Sequence, residues 1–187
     1  MKRGITDIID AKRGTTQISK IMRGIVLIWE KVSAPVYIDQ PNLIEFPNEY
    51  ENAYWSKSGA TINGTLQIAP DGTNTARLVT VDASSIGLYR LITNDVSLTN
   101  ELYMSVWLKA DVPTDILIGF NGQTDSANNR GVKLNITTTW TKYTFSFDVR
   151  SNDTGIFVAI ASTRWTGVNN TLTQRAIYVW GASYNIR

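Results

Sequence analysis

Neither histidine nor cysteine occurs anywhere in this chain of 187 residues. That removes the usual general base, the Ser-His and Cys-His nucleophile pairs, the commonest transition-metal ligand, thiolate zinc sites and any disulfide framework. Acid–base chemistry then falls to carboxylates, lysines or tyrosines. A glycosidase needs two carboxylates about 5–10 Å apart in a cleft, and no acid in this chain carries a supporting motif. Gly119-Phe120-Asn121-Gly122 matches no phosphate-cradling loop. The expectation is a non-enzymatic protein without a cofactor.

Binding is the chemistry that the remaining residues suit. Trp55, Tyr89, Trp140 and Trp165 are set among polar or turn residues, and Trp165 lies in Ser162-Thr163-Arg164-Trp165-Thr166-Gly167, between two expected strands. An exposed ring beside a few hydrogen-bonding side chains is a platform for a bound ligand, so these four are candidate contacts. The same amphipathic rings are also favoured at subunit contacts and core edges. Trp107 and Trp180 lie inside expected strands and are assigned to the core. Asp71, Asp125 and Asp153 sit in polar turns, where carboxylates can hold a structural calcium. A turn aspartate more often closes an Asx turn or caps an element, so no metal is expected.

The scaffold for these side chains reads as all-β. Residues 101–110 contain no Gly or Pro and are rich in strand formers. Because side chains alternate along a strand, Leu102, Met104, Val106 and Leu108 form one apolar row, and Tyr103, Ser105, Trp107 and Lys109 form an amphipathic one. Such a strand belongs in the middle of a sandwich sheet. Further strands are expected at 42–46, 61–68, 76–81, 88–92, 116–120, 132–136, 141–149, 156–161 and 176–184. Turn signals separate them, among them Ser58-Gly59, Asn63-Gly64, Pro70-Asp71-Gly72, Asn94-Asp95, Asn121-Gly122 and Asn152-Asp153. Tyr143, Phe145, Phe147 and Val149 alternate with Lys142, Thr144, Ser146 and Asp148, giving a strand with one dry face and one wet face.

Hydrophobic residues make up 43% of the chain and charged residues 18%, enough for a packed core and against disorder. Residues 1–31 hold seven basic side chains against three acidic ones, net +4, while the remainder holds eleven against thirteen, net −2. The total of +2 is too small to imply nucleic acid, but the asymmetry suggests two modules. The expected organisation is a β anchor over residues 1–33, a proline-bounded linker over 34–41 and a sandwich over 42–187. In the first module Ile18–Met22 and Ile25–Trp29 flank Arg23-Gly24, a candidate tight hairpin turn. Ile25-Val26-Leu27-Ile28-Trp29 is apolar on both faces, more than a small hairpin covers by itself. No window reaches the roughly 18 apolar residues of a membrane span, and the first ten residues lack a secretory apolar region. Expression in a cytoplasm, without membrane insertion, is the expectation, and the four Asn-x-Thr matches at Asn63, Asn135, Asn152 and Asn169 are read as chance.

Several motifs resemble one family. Pro41-Asn42-Leu43-Ile44, Asn52-Ala53-Tyr54-Trp55-Ser56-Lys57-Ser58-Gly59-Ala60, Ala69-Pro70-Asp71-Gly72-Thr73 and Tyr103-Met104-Ser105-Val106-Trp107-Leu108-Lys109-Ala110 occur in that order. Thr139-Trp140-Thr141-Lys142-Tyr143-Thr144-Phe145 and Ile177-Tyr178-Val179-Trp180-Gly181-Ala182 follow them. Together they resemble a jelly-roll module of bacteriophage virion proteins, similar to carbohydrate-binding modules of families 4 and 9 among the galactose-binding-like sandwiches. Residues 18–30 look like leader segments of phage tail and capsid-associated proteins. What the resemblance implies is a jelly-roll β-sandwich preceded by a small β-hairpin module that attaches it to a virion as a decoration protein, head fibre or tail part. Ile18, Ile21, Met22, Arg23, Ile25, Leu27, Ile28 and Trp29 would make that attachment to other virion proteins or to symmetry mates, with a homotrimer favoured over a dimer. The alternative is a module that binds a host-surface glycan, for which the resemblance implies Trp55, Tyr89, Trp140 and Trp165 as the candidate glycan contacts.

Overall fold

The computed structural model describes residues 12–13, 16–21, 29–32, 42–93, 101–123, 129–148, 154–165, 168 and 171–186. The chain divides into two compact units, Met1–Asp39 and Gln40–Arg187.

The first unit contains a three-stranded antiparallel sheet in the order β1-β2-β3, formed by Lys12–Arg13, Thr16–Ile21 and Trp29–Val32. A two-residue turn at Arg23-Gly24 would set Ile18 opposite Trp29. Instead Ile21 pairs with Trp29 and Ile18 with Lys31, and a bulge between Ile18 and Lys20 takes up the extra residue. Ile18 and Ile21 are three apart, out of step with a period of two, so alternation alone does not fix this register. Met22, Arg23, Ile25, Leu27 and Ile28 lie outside the described residues, as does the linker over 34–41.

The second unit is all-β, a jelly-roll sandwich of two five-stranded antiparallel sheets. One has the order β10-β9-β12-β7-β4, built from Asn129–Ile136, Thr114–Gly122, Ile156–Ser162, Gly87–Ile92 and Ser56–Ser58. The other runs β11-β8-β13-β6-β5, built from Thr141–Asp148, Glu101–Lys109, Arg175–Ile186, Asn74–Val81 and Ala60–Ile68. Strand β8 lies between β11 and β13, and Leu102, Met104, Val106 and Leu108 on its inner face are wholly buried. They share the core with Ile116, Ile118 and Phe120 of β9 and with Ile156, Val158 and Ile160 of β12. Along β11, Tyr143 and Phe145 are half-buried while Lys142, Thr144 and Ser146 are exposed, so the alternation sets that strand's faces.

Strand β13 changes phase partway. Ile177 and Val179 face the core, then Ala182 and Tyr184 do. A register shift between Trp180 and Ser183 makes the switch, around Gly181 at φ 61°. Glycine takes that left-handed conformation without the Cβ penalty, which explains why the strand reads as apolar on both faces.

Two expectations fail here for local reasons. Residues 42–46 are not a strand: Asn42 Oδ1 accepts from Ile44 N (3.1 Å) and Tyr184 N (2.9 Å), turning the chain where a ladder would run. The segment is tied to β13 instead, through Leu43 N to Tyr184 O (2.8 Å) and Asn42 Nδ2 to Ala182 O (3.0 Å). Asn63-Gly64 does not separate strands: it sits at a register shift inside β5, where Asn63 Oδ1 accepts from Thr65 N (2.8 Å), whereas Asn121-Gly122 closes β9.

Candidate functional site

In the sandwich, the outer face of the first sheet, β10-β9-β12-β7-β4, carries the groove, and β11-β8-β13-β6-β5 is the second. Register puts Asn121, Phe157 and Leu91 in one row across β9, β12 and β7, with Gly131, Gly119, Ala159 and Tyr89 in the next. These residues alternate with the core-facing isoleucines and Val158, so the sequence that fills the core also fixes this outer row. Gly119 and Gly131 leave a depression that the Trp165 ring occupies. A Cβ on Gly119 would stand 2.1 Å from Trp165 Cδ2, and one on Gly131 would stand 2.8 Å from Cδ1. Trp165, Leu117, Ala159 and Leu172 form a second buried cluster on this face, with Tyr89, Phe157 and Val168 packed against it.

Buried polar bonds hold the segment that delivers Trp165. Thr163 is fully buried, and its Oγ1 accepts from Ser85 N (2.9 Å) and donates to Asp82 O. Thr163 N and Arg164 N both donate to Ser85 O at 3.0 Å, and Leu172 N donates to Thr163 O at 2.8 Å. The corner is therefore fixed before its side chains are used.

Ile86, Tyr89, Asn121, Phe157, Arg164 and Trp165 line an open groove of about 340 Å³. The Tyr89 and Phe157 rings are 6.4 Å apart at 52°. Asn121 Oδ1 and Trp165 Nε1 are buried without a hydrogen-bond partner among the described residues, and such atoms destabilise a site by about 1–3 kcal/mol each until they are paired. Arg164 is the one ionised side chain among the described residues lining the groove. Toward the other end of β9, Asp115 is held below the usual carboxylate range by hydrogen bonds from Lys133 (2.8 Å) and Asn135 (3.1 Å), so that pair neutralises itself.

The four expected aromatic contacts are not brought together. Tyr89 and Trp165 meet in the groove. Trp55 is 2% exposed, packed against Tyr50 and Tyr54, and its Nε1 donates to Phe46 O at 2.8 Å. It is a core residue, because the turns joining Asn52 N to Glu49 O and Trp55 N to Asn52 O fold it inward. Trp140 immediately precedes β11, its ring 6.5 Å from Tyr178 and its Nε1 donating to Ile68 O at 3.1 Å. Trp107 and Trp180, expected in the core, are half-buried Cα partners that alternate with core-facing Leu108 and Val179 and so face outward. Trp180 Nε1 donates to Thr75 Oγ1 at 2.9 Å.

Sequence reasoning missed Phe157, Asn121 and Arg164. Phe157 was findable, since it stands one residue out of phase with Ile156, Val158 and Ile160. Asp71 accepts from Thr73 N (2.9 Å) and Thr73 Oγ1 (2.7 Å), which closes an Asx turn and lowers its pKa. Asp125 and Asp153 lie outside the described residues. Among the described residues no group of three or more His, Cys, Asp or Glu side chains could hold a metal ion.

No protein-family model matches the chain, and no curated protein does either. Solved structures do. The CBM22-1 xylan-binding domain of Paenibacillus barcinonensis Xyn10C superposes with a TM-score of 0.55 at 12% identity, over 79% of this chain and 95% of that domain. The enzymatically active domain of bacteriophage CBA120 tailspike protein 4 gives a TM-score of 0.51 at 14% identity, over 78% of this chain. The match spans only 21% of the tailspike chain. An exo-β-agarase gives 0.50 at 11% identity, over 78% of this chain and 25% of that one. At these identities the likeness is one of fold: the second unit shares its jelly-roll sandwich with parts of these structures.

Proposed function

We propose that the unit Gln40–Arg187 is a non-catalytic glycan-binding module and that sugar lies in the groove between Tyr89, Phe157 and Trp165. The observation that carries this reading is the composition of the groove: three aromatic side chains, an asparagine and an arginine around an open cavity. A pyranose has an apolar C–H face and a rim of hydroxyls. The rings offer that face a dry surface, and Asn121 and Arg164 offer the rim an acceptor and donors. The xylan-binding domain with the same fold supports the reading by analogy of fold.

A glycan array probed with the whole chain tests it. Binding is expected to at least one polysaccharide class, weakened about tenfold, or about 1.4 kcal/mol, by Tyr89→Ala. Trp140→Ala, just before β11 and outside the groove lining, should leave it unchanged. A blank array, or a signal indifferent to Tyr89→Ala, removes the reading.

A second proposal concerns the first unit. The separate compactness of Met1–Asp39 and its excess of basic residues support a role in attaching the sandwich to a larger assembly. We read that assembly as a phage particle formed in the host cytoplasm, to which this chain attaches as a homotrimer with Ile18, Ile21 and Trp29 in the attaching sheet. A carrier fused to residues 1–39 should then bind particles or oligomerise, and a fusion that does neither sinks the idea.

A further inference from the structure

We propose that the groove selects an acid-bearing sugar, a uronate or similar carboxylated pyranoside, and that Arg164 reads the carboxylate. The proposal rests on the glycan-binding reading and adds the substrate class to it. Three observations carry it.

The groove is electrostatically one-sided. Its described lining contains Arg164 and no carboxylate. The ion pairs among the described residues are Arg77 with Glu51 and Lys133 with Asp115, so Arg164 has no anionic partner among the described residues. Asp82, whose carbonyl accepts from neighbouring Thr163, has its own carboxylate engaged by Gln174 Nε2 at 3.2 Å.

The backbone of Arg164 is held while its side chain is exposed. Its N–H donates to Ser85 O (3.0 Å), its carbonyl accepts from Ser162 Oγ (2.7 Å), and it forms an isolated bridge with Thr171. A guanidinium on a fixed stem presents a planar fork of donors that matches a carboxylate with two parallel hydrogen bonds.

The neighbouring orphan atoms differ in kind. Among the described residues Trp165 Nε1, next in sequence to Arg164, is a donor without an acceptor, while Asn121 Oδ1 is an acceptor without a donor. An excess of donors on the Arg164–Trp165 side and an acceptor on β9 suit a ring with an anionic substituent toward one edge and hydroxyls toward the other. A neutral sugar would offer Arg164 hydroxyl acceptors but no anion to pair with its charge.

The test compares matched oligosaccharides by calorimetry on the whole chain: galacturonate, glucuronate and mannuronate oligomers, each beside its carboxyl-reduced counterpart. At least one acid form should bind ten times more tightly than its reduced form, and added salt should weaken the acid form more. Arg164→Gln should abolish the difference, and Arg164→Lys should restore part of it. The Arg164 side chain is exposed, so these variants should keep the wild-type melting temperature, which is measured alongside. Equal binding of acid and reduced forms, or a preference untouched by Arg164→Gln, overturns the proposal. If neutral sugars bind and Tyr89→Ala removes that binding, the acid selectivity falls while the glycan module stands. If no sugar of either kind binds, here or on the array, both fall.

Discussion

Trp55 and Trp165 are both nearly closed to solvent, at 2% and 7% exposed, yet they are buried for different reasons. The indole N–H of Trp55 has a carbonyl partner and its ring fills the main core, while that of Trp165 has no partner among the described residues and its ring covers two glycines on an outer face. Trp55→Ala should therefore cost about 3–5 kcal/mol of stability, the usual range for emptying a large aromatic site. Urea denaturation checks this, and a loss below about 1 kcal/mol would mean that the ring is not core. Polar neighbours in sequence pointed to Trp55 and Trp165 alike. They could not separate the two, because local polarity reports the surroundings along the chain, whereas burial depends on where the turns around Glu49 and Asn52 send the ring.

Strands were legible where one face is dry. The rows Leu102-Met104-Val106-Leu108 and Ile156-Val158-Ile160 announce their elements by a period of two, and the residues between them belong to the opposite face by the same rule. Applied consistently, the rule puts Phe157 and Asn121 outside, where the groove lies, and puts Trp107 and Trp180 outside as well. What it does not give is the segment after β12, whose shape comes from Thr163 reaching Asp82 and Ser85, some 80 residues earlier in the chain. Nor does it give the bulges in β2, β5 and β13, which break the period. The site is thus a product of one face and one corner, and Gly119 joins them. Gly119→Ala should push Trp165 off the sheet, since the new Cβ meets ring carbons rather than a flexible chain end. The expected outcome is an altered near-ultraviolet dichroism signal and weaker glycan binding with the fold retained. Wild-type spectrum and affinity in that variant would show that the ring's seat is not tight.

At the scale of the whole molecule the sandwich encloses phenols. Burial pushes the hydroxyls of Tyr50 and Tyr184 far above the ordinary tyrosine value of 10.0. Tyr178 is raised less, by partial burial and by its bond to Asp111 Oδ2 (3.0 Å). With folded values above unfolded ones, the folded state holds these protons more tightly. Their contribution is complete below the ordinary value and is lost as pH rises past it. The melting temperature should accordingly fall above about pH 10, and the double variant Tyr50→Phe/Tyr184→Phe should flatten that fall. An equally steep fall in the variant would place the alkaline sensitivity elsewhere.

The central claim is that sugar enters one groove on one sheet, and the indole N–H resonances report on it directly, because the six tryptophans lie in different parts of the chain. In a nitrogen–proton correlation spectrum of the whole chain, titrated with the strongest ligand from the array, the Trp165 signal should shift. Those of Trp107 and Trp180, on the second sheet, and of Trp140, just before β11, should stay in place. Movement of the second-sheet signals with Trp165 unmoved would contradict the account.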